Sequence, residues 1–432
     1  MDGSLPCKLS QALSPCRERK HASQFTRKDT MEQHIKESER FLPVDGAYDV
    51  AVVGGGIAGA AAAIAAARNG AKTCLIEKAG ALGGLATIGN VVHYLPLCDG
   101  KGNQVIAGLG EELLLASIRD GYAQLPAGWR QGGNEQERLK ARYEVKFSPA
   151  SMMLELEELT VKAGVELLYD TVFCDVVKQG SRIHALLVEN KSGRLALVCK
   201  TVVDASGDAD VCARAGEETE SFRTNVAGGW FHYVKGKEVF LQPQTRHFTA
   251  DPSKLTQGIR GYSGADGRDV TAQILESRQM IRDRLAELRQ KSPGMVLYPL
   301  FIPTIATFRM TRRLKAAVEL RMEDERKFFD DVIGMTGSWR TKGPIFYIPL
   351  RSLTAVRTEN LITAGRCMSS AGECWDLMRA IPACAVTGEA AGTAAALAAQ
   401  QAGGRLGEIN VAALQAQLRK QSVIMDRRFA KG

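Results

Sequence analysis

A strand, a glycine loop, a helix and a second strand follow one another near the beginning of the chain, and this order constrains the fold most strongly. The four segments are residues 48–53, 54–59, 60–69 and 72–76. The first is a β-branched run of the kind found in buried parallel strands, and the third is an alanine-rich helical stretch. Together they predict a βαβ unit of a parallel sheet.

The glycine loop has the spacing that a dinucleotide requires. Gly54 allows the tight turn after the strand, Gly56 lets the backbone approach a pyrophosphate, and Gly59 lets the helix pack closely on the strand. The free N–H groups at the start of the helix attract phosphate. Glu77 lies 21 positions after Gly56, where its carboxylate can accept hydrogen bonds from both hydroxyls of a ribose. The alternative is a glycine-rich turn in an ordinary α/β unit.

A glycine pair after the second strand helps to separate the candidate dinucleotides. The fingerprint alone fits both NAD and FAD. Gly83 and Gly84 permit a second close approach of the backbone to an extended cofactor. This suits FAD, because FAD continues past its pyrophosphate through a ribityl chain to the isoalloxazine ring. The sequence therefore predicts FAD as the cofactor.

Three motifs together resemble the FAD-dependent oxidoreductases that have a glutathione-reductase-like FAD domain. The first is the N-terminal fingerprint with its glycine pair and Thr87. The second is residues 202–210, a hydrophobic strand that ends in an Asp-Ala-Ser-Gly turn, and the third is residues 360–366, which precede a small-residue helix at 388–395. The resemblance covers most of residues 48–402 and implies the fold and FAD, while the reaction stays open.

One position departs from this resemblance. Many relatives end the late strand in Gly-Asp, whose carboxylate holds the ribityl or phosphate region, whereas this chain has Gly365 and Arg366. Val172 lies where relatives contact adenine through backbone atoms. The fingerprint and the resemblance together predict cofactor contacts at Gly54, Gly56, Ile57, Ala58, Gly59, Glu77, Lys78, Gly83, Gly84, Thr87, Val172, Ala205, Gly207, Gly365, Arg366, Ile381 and Ala383.

The last long helix is predicted to begin near Pro382, since proline is favoured at the first helical position. A reduced flavin carries negative charge near N1 and the C2 oxygen, and a helix N-terminus beside them stabilises that charge. This interpretation places Ile381 and Ala383 beside the flavin. The alternative is a helix of small residues that only packs on the sheet.

The predicted fold is α/β, a Rossmann-like FAD/NAD(P)-binding fold with an antiparallel β-meander insert and an inserted substrate domain. Residues 1–46 are expected to form a disordered N-terminal extension. The FAD-binding domain comprises residues 47–216 and 345–402, and a substrate or cap domain at 217–344 interrupts it. A helical tail is expected at 403–432.

Local patterns predict elements inside these segments. Ser148 and Pro149 suit the N-cap and first position of a helix that runs to about Lys162. Short strands separated by turn residues predict an up-and-down meander, with strands at residues 166–169, 171–177, 182–189 and 194–199. The inserted segment is predicted to hold a helix at about 270–291, a strand at 295–302 and a basic helical region after Met310.

A flavin enzyme usually needs an acid or base near its substrate, and three side chains are candidates. His232 lies in an aromatic segment of the inserted domain, where a packed core histidine is the alternative. His93 follows Thr87 and could face the flavin, and Glu373 could donate a proton or cap a turn. Four arginines could bind a carboxylate substrate, although surface solvation suits at least two of them: Arg309, Arg312, Arg313 and Arg340.

The sequence thus predicts an enzyme, an FAD-dependent oxidoreductase that transfers a hydride between flavin N5 and a small-molecule substrate. It identifies neither that substrate nor the electron acceptor. A second GxGxxG with strand and helix context is not found, which argues against a built-in NAD(P)H domain. Two alternatives stay open: a non-redox or synthase-type flavoprotein similar to thiazole-forming enzymes, and an interaction protein stabilised by FAD.

Composition limits the partners, the cellular compartment and the kinds of site that are expected for the protein. The net charge is +8, but acidic residues interrupt the basic stretches, so a nucleic-acid partner is not expected. The ten cysteines form no CxxC pair and no zinc spacing, which favours a reducing, cytoplasmic setting and argues against a metal site. The longest apolar run, residues 50–67, holds four glycines, and no membrane span is expected.

Overall fold

The computed structural model describes residues 37–121, 123–249 and 251–431. Most of the predicted N-terminal extension, residues 1–46, lies outside these described residues. The last residues of that segment belong to the first strand, which begins at Val44.

Sixteen strands and nine α-helices lie in the described part of the chain. The strands are β1 (Val44–Val53), β2 (Thr73–Ile76), β3 (His93–Tyr94), β4 (Val145–Lys146), β5 (Glu166–Leu168), β6 (Val172–Gln179), β7 (Arg182–Asn190), β8 (Gly193–Asp204), β9 (Thr219–Ser221), β10 (Phe231–Lys235), β11 (Glu238–Gln242), β12 (Leu297–Phe301), β13 (Arg312–Leu314), β14 (Val332–Gly337), β15 (Ile345–Pro349) and β16 (Leu361–Thr363). The helices are α1 (Ile57–Arg68), α2 (Leu109–Ile118), α3 (Glu135–Lys140), α4 (Pro149–Lys162), α5 (Asp210–Arg214), α6 (Gly267–Gln290), α7 (Gly372–Met378), α8 (Ile381–Gln401) and α9 (Val411–Lys420).

A seven-stranded sheet forms the centre of the fold, with the order β5-β2-β1-β8-β7-β6 and with β16 beside β8. β1 pairs in parallel with β2 and β8, β2 pairs in parallel with β5, and β8 pairs in parallel with β16. β7 and β6 continue the sheet in the antiparallel sense. The predicted Rossmann-like fold with an antiparallel meander is therefore confirmed for β6, β7 and β8. The strand predicted at 166–169 was wrongly placed in the meander, because β5 pairs in parallel with β2 at the opposite edge of the sheet. The carboxyl ends of the parallel strands share one edge, where open α/β sheets bind ligands.

The predicted βαβ unit is confirmed as β1, α1 and β2. Helix α1 begins at Ile57 and has Gly56 as its N-cap. Gly70 has a φ of 80°, a left-handed conformation that glycine adopts without a steric penalty. It ends the turn that leads from the helix to β2. The predicted helix start is also confirmed at α4, where the Ser148 side chain accepts a hydrogen bond from the Ser151 amide.

Strand β8 is longer than the sequence predicted. Separate strands were expected at residues 194–199 and 202–204, whereas one strand covers Gly193–Asp204. One edge of β8 pairs with β1. Its other edge pairs with β7 over residues 193–198 and then with β16 over 202–204. The predicted break was wrong because one strand serves both the meander and the parallel core.

Small residues bring α1 and α8 into close contact on the sheet. A Cβ atom added at Gly388 would lie 2.2 Å from the carbonyl oxygen of Ala58. One added at Gly392 would lie 2.0 Å from the carbonyl oxygen of Ala62. Both distances are far below van der Waals contact, so the two glycines set how closely the helix backbones approach each other. This contact fixes the start of α8 relative to the glycine loop after β1.

The inserted segment contains α6 and a three-stranded antiparallel sheet with the order β11-β10-β12. The predicted helix and strand of this segment are confirmed as α6 and β12. Ile281 and Leu285 of α6 share a small core with Phe231, Tyr233 and Leu297 of the sheet. In this segment α6 therefore packs on the three-stranded sheet and forms a small hydrophobic core of its own beside the main core.

The basic region after Met310 is not a helix, contrary to the prediction. It forms β13, which pairs in the antiparallel sense with β9. Arg313 is only 3% exposed and forms ion pairs with Glu220 and Glu319. Its partner Glu220 lies on the neighbouring strand, so helical periodicity along the chain did not indicate this pairing. The arginine is a structural ion-pair residue.

The β14–β15 hairpin spans the predicted domain boundary between residues 344 and 345. All residues of both strands are buried. Val332 and Ile348 of the hairpin belong to the same hydrophobic core as Ala390 of α8. The hairpin is thus part of the main core that supports the last long helix.

Helix α8 is the one α-helix in the described residues that is long and apolar enough to cross a membrane. Length and composition alone are weak evidence, because core helices of soluble proteins pass the same test. In this fold 83% of the most apolar window of α8 is buried inside the protein. Its apolar character is explained by packing against α1 and the sheet.

A buried carboxyl group links α8 to two other elements. Glu389 is 2% exposed and accepts hydrogen bonds from the Leu109 amide at 2.8 Å and from Nε2 of Gln421 at 3.1 Å. Burial raises the pKa of Glu389 to about 7, although these hydrogen bonds lower it part of the way. The side chain therefore caps the start of α2 and anchors the segment after α9.

The raised pKa predicts how the stability of this region depends on pH. Because the folded protein holds the Glu389 proton more tightly than the unfolded chain, its contribution is full at low pH and is lost as the pH rises towards about 7. We expect Glu389→Gln to flatten the fall of the unfolding free energy between about pH 5 and 7, by at most about 1.4 kcal/mol per pH unit. Denaturant titrations across this range measure the slope. Glu408→Gln, at an exposed position, is the control and should keep the slope of the unsubstituted protein. If Glu389→Gln also kept that slope, the result would contradict this account.

Candidate functional site

One cavity opens at the carboxyl edge of the parallel strands. Its walls come from the glycine loop after β1, the end of β2, residues 83–86, the turn at 205–208 after β8, and residues 364–366 after β16. The start of α8 adds Ile381. The remaining wall comes from the inserted segment, so main fold and insert share one cavity. This is the position at which the topology predicts a ligand.

Two helices begin at this cavity without a side-chain cap among the described residues. The N-cap of α1 is Gly56 and the N-cap of α8 is Ala380. A Cβ atom added at Gly56 would meet no protein atom within 4 Å, so this glycine faces open space. Uncapped helix starts present free N–H groups and the positive end of the helix dipole. The cavity thus offers two separate sites for negative charge.

Glu77 lies at the end of β2, on the cavity wall. Its Oε2 accepts a hydrogen bond from the Gly55 amide at 2.6 Å, and its Oε1 accepts one from the Ala79 amide at 2.7 Å. These bonds fix the carboxylate beside the glycine loop. Each oxygen keeps a further lone pair, which can accept a hydroxyl hydrogen from a ribose.

The glycine pair after β2 lies directly against the glycine loop. Gly83 forms an isolated parallel bridge with Gly56, and its amide donates a hydrogen bond to the Gly55 carbonyl at 2.8 Å. Gly83 and Gly84 have φ values of 94° and 53°, which favour glycine. The two glycine segments therefore form one continuous backbone surface, against which a pyrophosphate and the adjoining chain can lie.

Arg366 occupies the position where related motifs carry an aspartate. Its Nε donates a hydrogen bond to the Gly207 carbonyl at 2.5 Å, and its Nη1 donates one to the Phe308 carbonyl at 3.2 Å. Its Nη2 lies 3.3 Å from Oδ1 of Asp208. The guanidinium thus ties the turn after β8 to the inserted segment and puts a cation on the cavity wall.

The family model described as FAD dependent oxidoreductase matches residues 49–227 and 222–418. The chain belongs to this family. Its cofactor is FAD, and the cavity has the features that FAD needs: open space at Gly56, a carboxylate at Glu77 and two uncapped helix starts. The match identifies this family and does not assign the chain to a glutathione-reductase-like branch.

Individual relatives resemble parts of this FAD-dependent oxidoreductase. A stretch of 45 residues is 58% identical to dihydrolipoyl dehydrogenase of Trypanosoma brucei brucei, and it covers 10% of this chain and 9% of that protein. A solved geranylgeranyl bacteriochlorophyll reductase-like protein of Thermoplasma acidophilum has a TM-score of 0.44 at 15% identity, over 89% of this chain and 90% of the other. A p-nitrophenol 4-monooxygenase of Pseudomonas putida has a TM-score of 0.41 at 13% identity, over 87% and 81%. These low similarities identify no substrate.

Most of the residues predicted to contact FAD line the cavity. They are Gly54, Gly56, Ile57, Ala58, Glu77, Lys78, Gly83, Gly84, Ala205, Gly207, Gly365, Arg366 and Ile381. The remaining four do not line it. A Cβ atom at Gly59 would lie 1.8 Å from the Gly54 carbonyl oxygen, so this glycine serves the close packing of α1 on the loop.

The other three residues outside the wall have structural positions. Thr87 is fully buried, and its hydroxyl donates a hydrogen bond to the Leu82 carbonyl, which holds the loop of the glycine pair. Ala383 is fully buried in the first turn of α8. Val172 is 48% exposed at the start of β6. These three residues do not line the cavity, and the predicted contact of the Val172 backbone with adenine stays a prediction.

The three predicted acid–base candidates also lie away from the cavity wall. His232 is a buried residue of β10, and burial lowers its pKa. His93 lies in β3, with its Nε2 3.4 Å from a carboxylate oxygen of Glu144. Glu373 is exposed in the first turn of α7. The structure does not bring these side chains together, so it offers no geometric support for their predicted catalytic roles.

Several cavity residues escaped prediction from the sequence. Val270 and Ile274 of α6 line the cavity, as do Ile305 and Phe308 from the segment after β12. The spacing of four residues in α6 is a helical-face signal, but nothing in the sequence showed which cavity that face lines. Cys384 also lines the wall, where burial raises the pKa of its thiol to about 11. At neutral pH this thiol stays protonated and is a poor nucleophile.

Proposed function

We propose that this protein is an oxidoreductase that transfers a hydride between a small organic substrate and N5 of its FAD. The observation that carries the proposal is the single cavity shared by the cofactor fold and the inserted segment. A redox reaction of a flavin requires substrate and isoalloxazine in contact, and a cavity with walls from both parts of the chain allows this. When bound, FAD supplies the hydride-accepting or hydride-donating ring.

We also propose the orientation of the cofactor, in the manner of glutathione-reductase-like FAD domains. The adenosine ribose binds Glu77, and the pyrophosphate lies on the Gly56 and Gly83 backbone at the start of α1. The isoalloxazine then lies near Ile381, where the uncapped start of α8 faces the cavity. This arrangement is supported by the two uncapped helix starts. The pyrophosphate carries negative charge and the isoalloxazine develops it on reduction, and a helix N-terminus stabilises both.

The inserted segment makes the substrate side of the cavity apolar. Val270, Ile274, Ile305, Ala306 and Phe308 form an apolar wall. Apolar walls exclude water from the reacting atoms and strengthen any electrostatic contact made there. The substrate is therefore expected to have an apolar body that lies against this wall.

Anaerobic reduction tests the proposed function. The purified protein is loaded with FAD, and a panel of alcohols, amines, carboxylic acids and reduced nicotinamides is screened for bleaching of the visible flavin band. At least one organic donor is expected to bleach it. A flavin that dithionite reduces but no donor reduces would favour the alternatives, a synthase-type flavoprotein or an interaction protein.

The start of α8 predicts a specific effect on the flavin reduction potential. Ile381→Asp puts a carboxylate beside the site where negative charge develops on reduction, and two unit charges about 4 Å apart interact by about 4 kcal/mol at an effective dielectric constant near 20. Since 30 mV corresponds to about 1.4 kcal/mol for two electrons, the potential should fall by tens of millivolts. Ile381→Asn is the uncharged control of equal size. Equal potentials in the two FAD-loaded variants would contradict the proposed orientation.

A further inference from the structure

Two arginines pair with one buried aspartate at the end of the cavity where α8 begins, and a third arginine lies beside them. Asp376 is 1% exposed. Nε of Arg379 donates a hydrogen bond to its Oδ1 at 2.8 Å, and Nε of Arg340 donates one to its Oδ2 at 2.8 Å. The guanidiniums of Arg309 and Arg379 both stack on the ring of Phe248, at 5.1 Å and 5.5 Å from its centroid. We call Arg309, Arg340, Arg379 and Asp376 the arginine cluster.

The arginine cluster carries more positive than negative charge. Asp376 serves both Arg340 and Arg379, while no carboxylate in the described residues forms an ion pair with Arg309. Nη1 of Arg309 is buried without a hydrogen-bond partner among the described residues. Burial, and then repulsion by Arg379, lower the pKa of Arg309 to about 10, and Asp376 offsets this only in part. A partly buried cluster with two uncompensated cations is stabilised by a bound anion.

Arg379 connects the cluster to the cavity. Its side chain lines the cavity wall and is 18% exposed. Asp376 engages its Nε and Nη2, so the fork is held in one orientation while Nη1 has no hydrogen-bond partner in the described chain. The residue lies two positions before Ile381, next to the start of α8. Arg309 directly follows Phe308, which lines the apolar wall.

The other arginines that the sequence singled out have different partners. Arg312 pairs with Asp210 at 2.6 Å, and Arg313 pairs with Glu220 and Glu319. Neither lines the cavity. Two further cations, Lys78 and Arg366, line the cavity. Lys78 lies next to Glu77 at the proposed ribose end, and Nε, Nη1 and Nη2 of Arg366 all bond to protein atoms. Arg379 is therefore the arginine on the cavity wall that keeps one guanidinium nitrogen without a hydrogen-bond partner among the described residues.

We propose that the substrate carries a carboxylate on an apolar body, and that Arg379 binds this carboxylate in the cavity. Asp376 is a positioning residue that orients Arg379, and Arg309 raises the positive potential at the site without touching the substrate. The inference rests on the proposed function, because it places the carboxylate at the flavin end of the same cavity. It narrows the substrate class to organic acids with an aromatic or aliphatic body that fits the Ile274 and Phe308 wall.

Binding of matched acids and amides to the FAD-loaded protein tests this proposal without turnover. Benzoate is compared with benzamide, and hexanoate with hexanamide, by calorimetry and by perturbation of the flavin absorption band. Each pair has one shape and differs in charge. We expect at least one carboxylate to bind about tenfold or more tightly than its amide, since charge-assisted hydrogen bonds to a guanidinium favour the anion. Amides that bind as tightly as their acids, or no binding of either acid, would overturn the proposal.

Variants identify the residue responsible for this preference. Arg379→Gln should remove the preference for the acid and leave FAD content unchanged, because Arg340 still pairs with Asp376 in that variant. Arg309→Gln should reduce the preference in part. Arg351→Gln is the matched control, since Arg351 also bonds an aspartate, Asp331, away from the cavity. A full acid preference in Arg379→Gln would overturn the assignment.

Two further outcomes are informative. The first shows whether Arg379 binds a substrate carboxylate or a phosphate of the cofactor, and the second separates carboxylate binding from redox activity. If inorganic phosphate binds the apoprotein through Arg379 but neither acid binds once FAD is present, Arg379 holds a cofactor phosphate, and the substrate proposal is wrong. If Arg379→Gln loses its acid preference while no donor reduces the flavin, the carboxylate site stands and the proposed redox function fails. Binding and reduction therefore report on the two proposals separately.

Discussion

Gly56→Val is expected to abolish FAD binding and to leave the fold of the protein intact. Gly56 has a φ of −63° and a ψ of 179°, an extended conformation that valine adopts readily. A Cβ atom there meets no protein atom within 4 Å, so the side chain enters only the cavity. The space it occupies is the path of the pyrophosphate on the glycine loop. We expect FAD affinity to fall more than about 100-fold, which corresponds to about 2.7 kcal/mol or more.

The ratio of flavin to protein absorbance after gel filtration measures this loss, and thermal unfolding of the apoprotein reports on the fold. Gly80→Val is the matched control, because a Cβ atom at Gly80 also meets nothing within 4 Å and Gly80 does not line the cavity. This control should keep its FAD. A Gly56→Val protein with one FAD per chain would show that the pyrophosphate lies elsewhere.

Gly392→Ala is expected to destabilise the protein strongly, although alanine is the better helix former. Exchange of glycine for alanine inside a helix normally gains about 0.8–1 kcal/mol. At Gly392 the added methyl group would lie 2.0 Å from the carbonyl oxygen of Ala62, which forces α1 and α8 apart. Overpacking of this kind costs about 1–3 kcal/mol and occasionally more. Because the atom in the way is a backbone oxygen at 2.0 Å, the cost lies at the upper end of this range, and the net loss of stability should be about 2 kcal/mol.

Denaturant unfolding measures this change, or the apparent melting temperature where unfolding is irreversible. Gly267→Ala at the first position of α6 is the control, since a Cβ atom there meets nothing within 4 Å. It should leave stability unchanged or raise it slightly. Equal stability of the Gly392 and Gly267 variants would mean that α1 and α8 are not held together by their glycines.

The sequence predicted the cofactor half of this fold well, because its signals are local. Gly54, Gly56 and Gly59 specify the loop through backbone geometry, and strand and helix periodicity flank them directly. Ser148 and Pro149 likewise specify the start of α4 through local capping chemistry. Such signals need no knowledge of distant partners.

The errors concern residues whose partners are distant in the sequence. Arg313 was placed in a helix, but its position is fixed by Glu220 on a neighbouring strand. β8 was divided in two because its continuous pairing with β1 depends on a strand more than a hundred residues earlier. The sequence did not identify Arg379 as a site residue, because only the fold shows that it contacts Asp376 and lines the cavity. Contacts between distant segments determine the structure at these residues, and periodicity along the chain does not indicate such contacts.

The candidate catalytic histidines illustrate the same limit. His232 has the aromatic neighbours of a core residue, and the structure places it in the small sheet of the inserted segment. The sequence could name the residue type that proton transfer needs, but not the side of the sheet on which it lies. The cavity wall instead offers cations, apolar side chains and uncapped helix starts. These groups can bind and orient an anionic, apolar substrate against a flavin.

A crystal structure of the FAD-loaded protein tests the central claim most directly. The account predicts density for the adenosine ribose at Glu77, for the pyrophosphate on the backbone of Gly56, and for the pyrimidine edge of the isoalloxazine beside Ile381, with Arg379 within reach of the reacting face. Density for the isoalloxazine away from the start of α8, or for the pyrophosphate away from Gly56, would contradict it.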